Sequence, residues 1–188
     1  EFIERHFNIA ASLQAFVEDV GLQMAKYLRK QLPDTPAICI AGGVGLNGLM
    51  NQRVYKEAGF DSIYIQPASS DDGTALGAAL TVVAQYSGLD RFPALEQVFF
   101  GLEYPESQIS EALAEKELVY TRETDIAASV ARLLAEGQVV ARYEGRSEFG
   151  PRALGHRSIM ASPLKAEMKD IITSRIKHRE RFRPFAPA

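Results

Sequence analysis

The sequence predicts an α/β protein whose second part is α+β. Three observations lead to this class. Two short β-branched runs, "AICI" and "SIYI", alternate with three helical stretches over residues 8–88. Glycines or acids stand where strand gives way to helix. The 188 residues are 46% hydrophobic and 24% charged, the composition of a folded globular chain. Strands alternating with helices imply a parallel or mixed sheet with helices on its faces.

The elements follow in order. Ile9, Leu13, Phe16, Val17, Val20, Met24 and Leu28 recur at steps of three and four, which predicts a helix over residues 8–32 with this stripe inward. Asn8 is its expected N-cap, and "LPDTP" ends it at Pro33. "AICIAGG" reads as a short buried strand, with Cys39 as a small buried hydrophobe. "GLNGLMNQRVYKEAG" reads as a helix closed by Gly59, "SIYIQP" as a second strand, and "DDGTALGAALTVVAQYSG" as a helix entered through acids. After Gly88 the periodicity fades, and "LDRFPALEQVFFGLEYPE" reads as a linker with a domain break near residue 95. Beyond it, "ESQISEALAEK" and "DIAASVARLLAEG" are helical and "QVVARYEG" is a strand. "SPLKAEMKDIITSRIK" is a helix with Met168, Ile171, Ile172 and Ile176 inward.

Charge is divided unevenly. Residues 142–183 hold eleven Lys/Arg against five Asp/Glu, a net of +6, which leaves −9 for the rest of a chain whose total is −3. An anion site in the C-terminal part fits this split, and a solvated basic face is the alternative. One cysteine cannot form a disulfide within the chain, which favours a reducing cytoplasm. No apolar run approaches ~20 residues, so no membrane partner is expected.

Four stretches have the residue types that chemistry needs. In "AGGVGLNG", Gly42 and Gly43 allow a phosphate close to the backbone, and the helix that follows offers N–H groups to an anion. A tight structural turn would need the same glycines. The stretch is neither G-x-G-x-x-G nor a Walker A sequence. In "SSDDGTALGAA", Asp71 and Asp72 stand at a strand end and helix mouth, where they can cap the helix or ligate a metal. In "GRSEFGPRALGHRSI", Arg146, Arg152 and Arg157 sit on a Gly/Pro frame, with Glu148 placed to orient one of them by an ion pair. Planar guanidinium forks match pairs of phosphate or carboxylate oxygens. "RIKHRERFRPFAP" adds further cations. Nucleic acid is the competing partner for this charge, disfavoured because Phe149, Phe182 and Phe185 alternate with Gly and Pro and read as buried.

"GGVGLN", "QPASSDDGTALGAAL", "GRSEFGPRALGHRSIMASP" and "RIKHRERFRPFAP", in this order, resemble the carbamoyltransferases of the NodU/CmcH type. The resemblance implies that residues 1–95 are the C-terminal part of a Kae1-like domain of the actin/hexokinase (ASKHA) fold. It implies that residues 96–188 open a YrdC-like domain. It further implies a two-step reaction, in which carbamoyl phosphate and ATP form carbamoyl-adenylate and the carbamoyl group then passes to a hydroxyl of a small acceptor. On the matching positions, Gly42, Gly43, Val44, Asn47, Asp72 and Gly73 fall in the nucleotide-binding part, and Asp71 falls on a ligand of a divalent metal, Fe or Mg. Arg146, Arg152, Arg157, Ser158, Arg175 and Lys177 fall on the basic pocket. The family's two metal-binding histidines have no counterpart among His6, His156 and His178. The expectation is therefore a fragment, inactive by itself, with an open sheet edge that favours a homo-oligomer. A tRNA threonylcarbamoyl-type enzyme and a non-catalytic phosphate- or nucleic-acid-binding module are the rival readings.

Overall fold

The computed structural model describes residues 3–89, 91–180, 182, 183 and 185. The end of the fourth motif, with Arg181, Pro184 and residues 186–187, lies outside the described residues. The chain divides into two compact units, Glu1–Ala94 and Leu95–Ala188.

The first unit is built from α1 (Glu4–Gln31), β1 (Ala37–Ile40), a 3-10 turn (Gly43–Leu46), α2 (Gly48–Glu57), β2 (Ser62–Ile65) and α3 (Asp72–Ser87). β1 and β2 pair in parallel, Ile38 opposite Ile63 and Ile40 opposite Ile65, as the alternation of strand and helix requires. The core lies between α1 and α2. Leu22 and Ala25 meet Met50, Val54 and Ala58, with Val17, Ile38, Ile40, Phe60 and Ile63 against them. Gly21 makes this crossing close, because a Cβ there would lie 2.6 Å from the Met50 Sδ. Arg53 of α2 closes the edge with ion pairs to Asp19 (2.6 Å) and Glu57 (3.3 Å). α3 ends at Gly88, whose φ of 64° is left-handed and suits glycine.

Three expectations are corrected by the first unit. Asn8 lies inside α1, whose N-cap is Ile3. The face of α1 that enters the core is Val17, Gly21, Leu22 and Ala25, whereas Ile9, Leu13, Phe16, Val20, Met24 and Leu28 are exposed. Both stripes have helical spacing, and α2 meets the one on which Gly21 permits close approach. Cys39 is exposed, because Ile38 and Ile40 take the inward side of the pleat. α3 buries none of its residues despite its apolar sequence.

The second unit contains α4 (Glu106–Glu115), α5 (Ile126–Ala135), β3 (Val140–Tyr143), β4 (Arg157–Met160) and α6 (Met168–Ile171), which runs into a π-helical turn (Ile172–Ile176). Asp125 caps α5 by accepting from the Ala128 N–H at 2.9 Å. β3 and β4 are antiparallel, with Arg142 opposite Ser158. The strand β4 is absent from the sequence-based expectation. It is four residues long and emerges from a Gly/Pro loop without clear alternation. The final helix is also shorter than its pattern predicts. Residues 163–167 form turns, and Met168, Ile172 and Thr173 are buried while Ile176 is exposed. Phe182 is exposed as well, and Phe149 and Phe185 are half-buried.

Candidate functional site

In the first unit the two glycine- and acid-containing turns meet. The Gly42 N–H donates to the Ser69 carbonyl at 2.7 Å, which sets "GGVG" beside "SSDD" at the ends of β1 and β2. Gly42 has φ 96°, and a Cβ there would meet nothing within 4 Å, so the left-handed backbone is the demand that glycine satisfies. A Cβ on Gly43 would stand 3.7 Å from the Ser70 Oγ, and Val44 is exposed beside it. Gly73 answers a different need, since a Cβ there would lie 2.0 Å from the Ala68 carbonyl oxygen. Asn47 is engaged within the fold. Its Oδ1 accepts from the Met50 N–H at 3.0 Å, capping α2, and its amide exchanges hydrogen bonds with Gln14 of α1. One of the N–H groups at the α2 terminus is therefore already paired. Asp71 and Asp72 are exposed, and Asp71 makes no side-chain cap to α3.

A metal needs more donors than this turn provides. Among the described residues no group of three or more His, Cys, Asp and Glu side chains comes together. Asp71 and Asp72 do not make a metal centre by themselves.

In the second unit a cavity of about 800 Å³ opens between the Pro151–Ala153 loop, the β3–β4 hairpin and α6 with the start of the π-helical turn. Its lining includes Arg142, Arg152, Lys165, Lys169, Lys177 and Arg179 and, among the described residues, no carboxylate. Ser158 lines it too, and its Oγ accepts from the Gly155 N–H at 3.0 Å, which leaves the hydroxyl proton to donate elsewhere. Lys177 and Arg179 flank His178, whose φ of 46° is unusual for a residue with a side chain. Arg179 lies over the Phe185 ring at 5.0 Å. Arg142 is partly balanced by Glu144, with which it pairs.

The arginines singled out from sequence divide. Arg152, Ser158 and Lys177 line the cavity; Arg146, Arg157 and Arg175 do not. Arg157 is held by its own neighbourhood. Its guanidinium donates to the carbonyls of Glu144 (2.7 Å), Gly145 (2.9 Å) and His156 (3.1 Å) and stacks at 3.5 Å on Tyr143. Arg146 leans on the Gly101 carbonyl at 3.4 Å and Glu103 at 3.5 Å. Three cavity cations, Arg142, Lys165 and Lys169, lie outside the four motifs, and Arg179 falls in the fourth without having been named for the pocket. The only signal for the first three was the basic excess of residues 142–183, which does not say which side chains converge.

Glu148 does not orient an arginine in the expected way. Its Oε1 accepts the backbone N–H groups of Leu154 (2.8 Å), His156 (2.9 Å) and Arg157 (3.1 Å). Burial pushes this carboxyl upward in pKa, but the bonds from Leu154, its own backbone, Arg157 and His156 outweigh burial and hold it at about 2. The loop is braced from outside by the Phe149 N–H, which donates to the Val98 carbonyl at 2.7 Å. Phe99 stacks on His156 at 3.7 Å.

No helix among the described residues is long and apolar enough to cross a membrane. Residues 2–80 match the family described as carbamoyltransferase N-terminus, and residues 131–188 match carbamoyltransferase C-terminus. The chain is 40% identical over its full length to nodulation protein NolO of Bradyrhizobium diazoefficiens, covering 34% of that protein. It is 37% identical, over 96% of its length, to nodulation protein U of Sinorhizobium fredii, covering 31% of it. It is 32% identical, over 96% of its length, to the 3'-hydroxymethylcephem-O-carbamoyltransferase of Streptomyces clavuligerus, covering 33% of it. The chain thus spans about a third of the length of these curated relatives. With both family regions matched in order and such relatives aligned along the whole chain, it belongs to the carbamoyltransferase family of the nodulation protein U type.

Proposed function

We propose that this chain is part of an ATP-dependent O-carbamoyltransferase. Water cleaves carbamoyl phosphate to carbamate and phosphate, a carbamate oxygen displaces pyrophosphate from the ATP α-phosphorus to give carbamoyl-adenylate, and the carbamoyl group passes to a hydroxyl of a small molecule with release of AMP and the hydroxyl proton. One observation supports this most: among the described residues, one cavity is lined by Arg142, Arg152, Lys165, Lys169, Lys177 and Arg179 and by no carboxylate. Two phosphate-bearing substrates, brought together, need such a charge to offset their repulsion and to stabilise a departing phosphate. Arg152 and Arg179 suit phosphate oxygens through paired N–H bonds, and Lys165, Lys169 and Lys177 act as point charges. The Ser158 hydroxyl, already accepting from Gly155, is free to donate to a ligand oxygen.

The turn at Gly42, Gly43 and Asp71 is the part of the chain suited to the transfer step. The single phosphate of the carbamoyl-adenylate would approach over the glycine backbone, and Asp71 would contribute one ligand to a divalent ion. The described residues of this chain offer too few further donors to hold that ion by themselves. A hydroxyl acceptor is in keeping with the name of the Streptomyces clavuligerus relative, an O-carbamoyltransferase. A nucleic-acid-binding role is less well supported, since the cations converge in a concavity rather than along an exposed track.

The test uses the full-length protein that contains this segment. Incubation with carbamoyl phosphate, ATP and labelled pyrophosphate, without acceptor, is expected to move label into ATP. No exchange at any donor concentration would remove the adenylate step.

A further inference from the structure

We propose that Glu148 is a positioning residue for the basic cavity: its carboxylate ties together the two ends of the loop 149–153 and thereby sets where Arg152 stands. This rests on the reading of the cavity as the site of a phosphate-bearing donor. The geometry is that of a clasp. Glu148 immediately precedes the loop, and the N–H groups it receives belong to Leu154, His156 and Arg157, immediately beyond it. All three converge on one oxygen.

The loop needs such a clasp because its own backbone does not define its path. Gly150 and Gly155 have φ of 115° and 109°, conformations that glycine alone adopts readily and leaves as readily. Between them stand Pro151, Arg152 and Ala153, which form one wall of the cavity. The other end of the clasp continues into β4, where Ser158 joins the same cavity. Ser158 adds a second tie by accepting from Gly155. An acid in the most cationic stretch of the chain would weaken an anion site if it faced the ligand. Here its Oε1 is turned to backbone donors, and Glu148 is not among the residues that line the cavity. It therefore shapes the site without opposing the charge that fills it.

The role makes Glu148 act through Arg152, and a mutant cycle reads that dependence. Inorganic pyrophosphate is the probe, titrated calorimetrically into the full-length protein. Arg152→Ala is expected to weaken its affinity about tenfold. Glu148→Ala is expected to lose a comparable factor, and the double variant no more than Arg152→Ala alone. Glu148→Gln keeps an acceptor oxygen and should recover most of the affinity, a rescue that general destabilisation would not produce. If Glu148→Ala does not fold, the same cycle is run with Glu148→Asp, which shortens the reach by one methylene. Multiplying losses in the double variant, or unchanged affinity on altering Glu148 while Arg152→Ala is impaired, overturns the positioning role alone. Unchanged affinity in Arg152→Ala itself overturns the phosphate reading of the cavity, and the positioning role with it.

Discussion

Replacing Arg157 separates two roles that its motif alone could not. An anion-binding arginine, when truncated, costs ligand affinity and leaves the fold intact. The structure places its guanidinium on three carbonyls and over the Tyr143 ring, so truncation should cost stability first. Each hydrogen bond from a charged donor contributes roughly 1.5–3 kcal/mol when buried, and the ring contact about 0.5–1 kcal/mol. Arg157 is half-buried, and water can reach the freed carbonyls, which brings the total loss down to about 2 kcal/mol. For a unit of this size that corresponds to roughly 10 °C in the thermal midpoint. Calorimetric melting of Arg157→Ala, beside pyrophosphate titration at a temperature where the variant is folded, reads both quantities. Arg157→Lys should fall between, because an ammonium reaches fewer carbonyls and stacks less well. An unchanged midpoint with lost pyrophosphate affinity would refute the reasoning and return Arg157 to the anion site.

Other substitutions address the remaining assignments. Gly73→Ala puts a methyl 2.0 Å from the Ala68 carbonyl oxygen and should cost about 3 kcal/mol in urea unfolding, since backbone must move. Asn47→Ala removes the α2 cap and the Gln14 bonds, for about 1–2 kcal/mol of stability; ATP affinity lost without any such destabilisation would show a direct nucleotide contact instead. The depressed pKa of Glu148 contributes stability that is fully present above its ordinary value of 4.5 and lost as pH falls toward about 2. Acid titration of Glu148→Gln, followed by circular dichroism, should show a shallower decline across that window. In the full-length protein Asp71→Asn should leave pyrophosphate exchange intact and stop carbamoyl transfer, with bound metal measured in parallel; normal transfer and metal content would remove Asp71 from the site.

The helices other than the last, all three anticipated strands and the α/β class were legible in the residues themselves, because they depend on local periodicity, caps and glycine conformations. The α2 stop at Gly59, the α3 stop at Gly88 and the Asp125 cap are decided within a few residues of chain. The four motifs likewise sufficed to mark the family. What the residues alone did not decide was the side on which each element is covered and the partner each polar group meets. α1 has two faces of helical spacing, and the close approach of Met50 at Gly21 selects one of them. β4 forms only because β3 pairs with it across a Gly/Pro loop. Arg146, Arg152 and Arg157 are chemically alike, yet only Arg152 lines the cavity, because Gly101 and Glu103 take the first and the carbonyls of the β3–β4 turn take the last. A guanidinium responds to whatever acceptors the fold brings within about 3 Å, and those acceptors come from residues distant in sequence.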